Sequence, residues 1–212
     1  SPALADANNG NWQTARRWQK FLQVPRGSQP GFSARIVTHW PDGPAAAHDS
    51  AMIALHARRS APAVLAWAQS RGDAAAPQPV PGLAVVLTGT DLYRDIQTDA
   101  QARQSLQLAQ SLVVLQALGL TALPAALQPH AQVIFQSTSA RQTLPRTKRL
   151  LRAVMVGHLR EEKSPHTLFA AARLLSTQDT IHIDHIGAAL DPALALQAQA
   201  TAATCPRYHW LG

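Results

Sequence analysis

The residues Leu83-Ala84-Val85-Val86-Leu87 form an unbroken apolar run that stops directly at Thr88-Gly89-Thr90-Asp91. A strand that is apolar at every position has to be covered on both faces, which is the condition of a parallel sheet packed between helices. Much of the chain repeats this motif. Short apolar runs at 52–55, 112–115 and 132–135 alternate with helical sequence at 61–70 and 99–109 and with a Leu/Ala helix ending near Pro124. Upstream, Trp12, Ala15, Trp18, Phe21 and Leu22 recur at helical spacing behind the capping residues of Asn8-Asn9-Gly10-Asn11. Between a turn at 25–30 and the loop Pro41-Asp42-Gly43-Pro44, the β-rich run Ala34-Arg35-Ile36-Val37-Thr38 predicts one more strand. A low-complexity loop covers 72–81.

Residues 136–150 interrupt the alternation with Ser, Thr, Pro and bases. A second series follows, with strands at 153–156, 181–186 and 208–211, helices at 165–175 and 192–203, and a loop at 157–163. The expected fold class is therefore α/β, with one parallel-sheet unit at 1–140, a connection at 141–150 and a second unit at 151–212. Three strands are too few for a full doubly wound domain, so the second unit is expected to be incomplete. The chain opens at Ser1 without Met and stops at Gly212 just past a strand, and both ends are expected to be truncated.

Composition narrows the function. With 46% hydrophobic and 15% charged residues among 212, collagen, coiled coil and wholesale disorder are excluded. The net charge of +7 is concentrated. Arg16, Arg17, Lys20, Arg26 and Arg35 occur with no acid between 16 and 35, and Arg141, Arg146, Lys148, Arg149, Arg152, Arg160 and Lys163 face only Glu161 and Glu162 between 141 and 163. Such clusters suit a compact anion at least as well as a long nucleic acid. The single cysteine, Cys205, allows no internal disulfide and no thiol metal site, which favours a cytoplasmic setting. The most apolar stretch, 112–127, is broken by Gln116, Gly119 and Pro124 and is shorter than the ~20 residues of a membrane span. No basic segment followed by an apolar one opens the given sequence, so no signal peptide is visible in it.

Four segments carry candidate chemistry. Asn9, Gly10 and Asn11 precede a helix with Thr14 in its first turn, which fits an anion site of backbone N–H groups as well as an ordinary cap. Thr88-Gly89-Thr90-Asp91 lies at the carboxyl end of the central strand, where open α/β sheets bind ligands. There Asp91 is a candidate catalytic group with Arg94 close by, and a plain capping turn is the alternative. Gly157-His158-Leu159-Arg160-Glu161-Glu162-Lys163 follows the next unit's first strand. Its Arg160 and Lys163 suit a diphosphate, and a solvated charged turn suits the same residues. His182-Ile183-Asp184-His185 does not converge on a metal, because on a strand His185 points away from His182 and Asp184.

The segments Pro2-Ala3, Asn9-Gly10-Asn11-Trp12-Gln13-Thr14-Ala15-Arg16-Arg17-Trp18, Ala54-Leu55-His56-Ala57-Arg58-Arg59-Ser60, Leu87-Thr88-Gly89-Thr90-Asp91-Leu92-Tyr93-Arg94-Asp95 and Val156-Gly157-His158-Leu159-Arg160-Glu161-Glu162-Lys163-Ser164-Pro165 resemble GT-B glycosyltransferases of the GT4-like type. More closely, they resemble the selenosugar synthases of selenoneine biosynthesis. The resemblance implies two Rossmann-like domains, an acceptor-side one at 1–140 and the first part of a donor-binding one at 151–212. It implies metal-independent transfer of N-acetylglucosamine from UDP-N-acetylglucosamine to selenophosphate, with no cofactor. The resemblance places Gly10 and Asn11 at the interdomain cleft and Arg160 and Lys163 on the donor diphosphate; beside them Asp91 and Arg94 are candidate catalytic residues that orient sugar or acceptor, Asn9, Thr14 and Thr90 candidate substrate-binding residues, and Gly157 a candidate for the diphosphate site. The chain departs from the pattern at Thr88, where many relatives carry His. It also lacks the family's first strand before Ser1 and the Glu-rich segment that grips the donor sugar. Two rivals stand beside this reading. One is a relative with another small phosphate or thiol acceptor. The other is a basic nucleic-acid-binding module, against which the placement of several Trp on an inferred core face argues.

Overall fold

In the computed structural model, which describes residues 1–7, 9–71, 78–143, 145 and 149–212, the chain divides into two units, Ser1–Ser139 and Ala140–Gly212. Asn8, residues 72–77 of the low-complexity loop, and Arg146 and Lys148 of the second basic cluster lie outside the described residues.

The first unit starts with helix α1 (Gly10–Gln23), whose N-terminus is closed by Asn9 Oδ1 accepting the Trp12 N–H at 3.1 Å. Strand β1 (Met52–Leu55), helix α2 (Ala61–Ser70) and strand β2 (Val80–Leu87) follow. A π-helical turn, Asp91–Asp95, then runs through α3 (Ile96–Thr98) to α4 (Ala100–Leu108), which Asp99 caps through the Ala102 N–H at 2.8 Å. Strands β3 (Ala109–Val114) and β4 (Ala131–Val133) complete a sheet of order β1-β2-β3-β4 in which every pair is parallel. Successive side chains alternate between two cores. Val85, Leu87, Leu112 and Val114 pack with Val64, Trp67 and Leu106 from α2 and α4. Leu55, Val86 and Val113 pack with Ala15 of α1 on the other face. Val85, Val86, Leu112 and Val114 are 0% exposed, each contributing about 1.5–3 kcal/mol by burial.

The second unit holds β5 (Leu151–Val156), α5 (Pro165–Arg173), β6 (Ile181–Ile186), α6 (Pro192–Thr204) and β7 (Tyr208–Trp210). Its sheet is parallel in the order β5-β6-β7. Leu159, Phe169, Ile183, Leu194, Ala198 and Tyr208 form the core under the helices. The opposite face carries a polar row in which Asp184 accepts from Arg152 at 2.5 Å and lies 3.2 Å from His209 Nδ1. These partners hold the Asp184 carboxyl below its usual range, the Arg152 bonds contributing most.

Two expectations are corrected. Residues 34–38 form no strand: the chain passes through 31–37 without a bend or a ladder among the described residues. The expected Leu/Ala helix is replaced by two 3-10 segments, Ala117–Ala122 and Ala125–His130. Gly119, Pro124 and Pro129 explain the change, since each lowers α-helix stability within a stretch too short to tolerate it.

Candidate active site

The loops leaving β1 and β2 are joined through one carboxylate. Asp91 Oδ1 accepts the N–H groups of Thr88 and Gly89, both at 2.9 Å, and Oδ2 accepts the Ala57 N–H at 2.9 Å. Asp91 is 0% exposed and its oxygens are occupied by backbone. The expectation of a catalytic Asp91 is therefore corrected. It is a positioning residue that sets the shape of both loops, because a buried carboxylate holding three N–H groups has no face left for a substrate.

His56 is the group that the sequence did not single out as a site residue. It is buried and its backbone lies in the left-handed region at φ 73. Such strain in a non-glycine persists only where neighbours over-determine it. Here the His56 N–H donates to Val86 O at 2.8 Å, the next residue is pinned by Asp91, and Ser105 Oγ donates to Ala57 O at 2.9 Å. The ring is equally constrained. Nδ1 accepts the Arg59 N–H at 3.3 Å, so in the neutral imidazole the proton sits on Nε2, 3.2 Å from Thr90 Oγ1. Burial pushes the His56 pKa below its usual value, with Arg59 and Arg58 acting in the same direction and Asp91 and Asp95 opposing. Thr90 Oγ1 then accepts from His56, and its own hydrogen is directed elsewhere. Beside it, Gly89 has φ 145 and open space where a Cβ would stand, so a ligand can approach the backbone there.

Asp95, 3% exposed, completes the cluster. Arg58 Nε lies 3.0 Å from its Oδ2 and Arg94 Nε 3.2 Å from its Oδ1, while the two arginine side chains are 42% and 57% exposed. One buried carboxylate thus holds two partly exposed guanidinium groups, and its Oδ2 lies 4.0 Å from the His56 Nε2 that meets Thr90. Arg94 and Arg58 thus meet on the same carboxylate.

The α1 residues separate by role. Asn9 caps the helix, while Gly10 has open space around its Cβ position and Asn11 is half-buried. Thr14, expected to bind substrate, is buried. Its hydroxyl donates to Gly10 O at 2.9 Å and accepts from Gln136 Nε2 at 3.2 Å, so it ties α1 to the segment after β4 and is corrected to a structural residue. Arg17 makes the same connection by donating to Ser137 Oγ at 2.6 Å and Thr138 O at 3.0 Å.

In the second unit the loop after β5 is held from below. His185, 0% exposed, has Nε2 3.0 Å from Gly157 O and Nδ1 2.9 Å from the Tyr208 hydroxyl. A carbonyl accepts only, so Nε2 carries the proton and Tyr208 donates to Nδ1. Burial pushes the Tyr208 pKa up to about 12. Gly187 closes over Gly157 so tightly that a Cβ there would meet Gly157 O at 2.0 Å. The 3-10 turn Glu161–Lys163 folds Lys163 back, its Cγ 3.5 Å from where a Gly157 Cβ would stand. Arg160 is half-buried, and its Nε is buried without a hydrogen-bond partner among the described residues. Gly157 and Lys163 are thus brought together at the carboxyl end of β5, with Arg160 in the same turn.

No helix among the described residues is long and apolar enough to cross a membrane. No family model and no curated protein matches the chain. Among solved structures the chain is similar to the apo form of the lipopolysaccharide outer core galactosyltransferase WaaB, with a TM-score of 0.49 and 14% identity. That similarity covers 78% of this chain and 44% of the galactosyltransferase, so the chain spans less than half the length of that protein.

Proposed function

We propose that the chain belongs to a GT-B glycosyltransferase that moves N-acetylglucosamine from UDP-N-acetylglucosamine to selenophosphate, in the cytoplasm and without a metal. The motif resemblance over 2–3, 9–18, 54–60, 87–95 and 156–165 supports this reading. The observation that carries it is the Thr90 hydroxyl, oriented by neutral His56 at the carboxyl end of a parallel sheet, in the same loops as the Arg58–Asp95–Arg94 cluster. A hydroxyl donor with arginines on the same loops suits a small tetrahedral anion. On this reading Gly157, Arg160 and Lys163 receive the donor diphosphate.

In the proposed step a selenium lone pair attacks the anomeric carbon, the carbon–oxygen bond to the diphosphate breaks, and UDP leaves with that electron pair. Selenophosphate is already anionic, so the residues act by positioning it and by stabilising the departing charge. The test is incubation of the protein with UDP-N-acetylglucosamine and either selenophosphate or thiophosphate, reading UDP release and product mass. Acceptor-dependent UDP release with a selenosugar mass is expected. Release with thiophosphate alone would favour a relative with another acceptor, and no release from protein that binds the donor would overturn the proposal. Thr90→Val should lower kcat/KM by roughly 10-fold to 100-fold, the range of a hydrogen bond to a charged group, with a thermal midpoint close to that of the parent.

A further inference from the structure

The parallel ladder between β5 and β6 continues past the ends of the strands, and side chains take over one of its rungs. Gly157 N–H donates to Ile186 O at 2.8 Å, Leu159 N–H to Ala188 O at 3.0 Å and Leu190 N–H to Leu159 O at 3.2 Å. The even spacing of a parallel pair calls for Ala188 N–H to bond Gly157 O between them. Two imidazoles stand in for that bond. Gly157 O accepts from His185 Nε2 at 3.0 Å, and the Ala188 N–H donates to His158 Nδ1 at 3.1 Å.

The exchange reorients one peptide group. His185, 0% exposed, shares the core face of β6 with Ile183 two residues earlier. Residue 187 comes next on that face, and a Cβ there would lie 2.0 Å from Gly157 O. The Gly157 carbonyl therefore fills the space that a side chain at 187 would take, and glycine leaves that space open. In a planar trans peptide the C=O and the following N–H point in opposite directions, so a Gly157 carbonyl turned into the core turns the His158 N–H out of it. His158 is exposed. Behind His185 the buried Tyr208 hydroxyl donates to Nδ1 at 2.9 Å and keeps the proton on Nε2. Phe169 holds the Tyr208 ring edge-on at 6.0 Å. With the opposite tautomer a lone pair would face Gly157 O, and the carbonyl would be driven back toward Ala188.

We propose that His185 is a positioning residue for a bound diphosphate: it sets the Gly157–His158 peptide so that the His158 N–H donates to a phosphoryl oxygen, with Tyr208 locking the tautomer that does so. The proposal rests on the reading of the 157–163 loop as the diphosphate site, and it adds a backbone donor and the buried pair that aims it. Lys163 belongs to the same site, since its Cγ and Cδ run 3.5 Å and 3.6 Å from where a Gly157 Cβ would stand. The two kinds of donor differ in use. A lysine ammonium sits on a flexible stem, whereas a backbone N–H pinned from within the core is already oriented when charge develops on a departing diphosphate.

The experiment titrates inorganic pyrophosphate into the parent, His185→Phe and His185→Gln, and follows the His158 amide by proton–nitrogen NMR, with the amide of buried Ala198 as the reference for an intact unit. Phe removes the donor to Gly157 O, and Gln keeps one. A saturable downfield shift of the His158 amide proton is expected in the parent. The pyrophosphate dissociation constant should rise roughly tenfold in His185→Phe, as for loss of a hydrogen bond to a charged group, and stay within about twofold of the parent in His185→Gln. A purely structural His185 would lower stability in both variants without separating their affinities. The imidazole nitrogen shifts of His185 in the parent add a check that needs no variant, and a proton found on Nδ1 would overturn the proposal. An unmoved His158 amide, or equal affinities in the parent and a folded His185→Phe, would overturn it as well, even where UDP-N-acetylglucosamine is turned over. The His158 shift without acceptor-dependent UDP release would support the proposal and count against glycosyl transfer.

Discussion

His56 shows how a single residue couples site and stability. Its imidazole is kept neutral by burial, so protonation favours the unfolded chain, where the ring has its ordinary value of 6.5. The sign is that of a depressed histidine: the full contribution is present above that value and is lost as pH falls below it, toward the lower folded value. We expect the stability difference between the parent and His56→Asn to shrink as pH is lowered from about 7.5 to 5, followed by urea midpoints. Asn suits the comparison because it tolerates φ 73 better than most residues. A difference constant with pH would show that another group carries the dependence. Asp91 teaches the complementary lesson. Its place after Thr88-Gly89-Thr90 was legible as a cap or a ligand group, and the choice between them rests on Ala57, 34 positions earlier, which occupies its second oxygen.

At the scale of elements, helices α4 and α6 lie where the sequence expects them, at 99–109 and 192–203. Asp99 before α4 and Asp191 before α6 each accept helix N–H groups, which fixes where these helices begin. The strand at 34–38 failed for a different reason: a strand needs a neighbour, and propensity says nothing about whether one is there. Close packing of the loops after β5 and β6 was also invisible in the sequence. Gly187 combines φ 155 with a Cβ position 2.0 Å from Gly157 O. Gly187→Ala should therefore destabilise the second unit by about 3 kcal/mol or more, the sum of backbone strain and forced displacement of the Gly157 loop. The Trp210 indole, which donates to Gly187 O at 2.9 Å, is the local reporter by NMR. An unmoved indole resonance together with an unchanged unfolding midpoint would contradict this.

For the molecule as a whole, the charge of +7 is less available than the count implies. Arg35 is held by Asp42 at 2.6 Å and Asp49 at 2.5 Å, and it keeps both carboxyls below their usual range. Arg152 is held by Asp184 and Arg17 by residues 137–139. With bases from both clusters engaged within their own units, binding of generic duplex DNA at physiological salt should be no tighter than the ~10⁻⁴–10⁻⁶ M of non-specific contacts. Fluorescence titration across salt concentrations measures it, and tight binding with a steep salt slope would revive the nucleic-acid reading. What the sequence determined by itself was the alternation of strand and helix, the parallel sheets, the division near residue 140 and the loops where polar residues gather, because these follow from local periodicity and capping. Only the tertiary structure decided that Asp91 and Thr14 face backbone, that His56 orients Thr90, and that 34–38 joins no ladder among the described residues. Those outcomes depend on which distant atoms share one small volume, and that information is carried by packing rather than by neighbours along the chain.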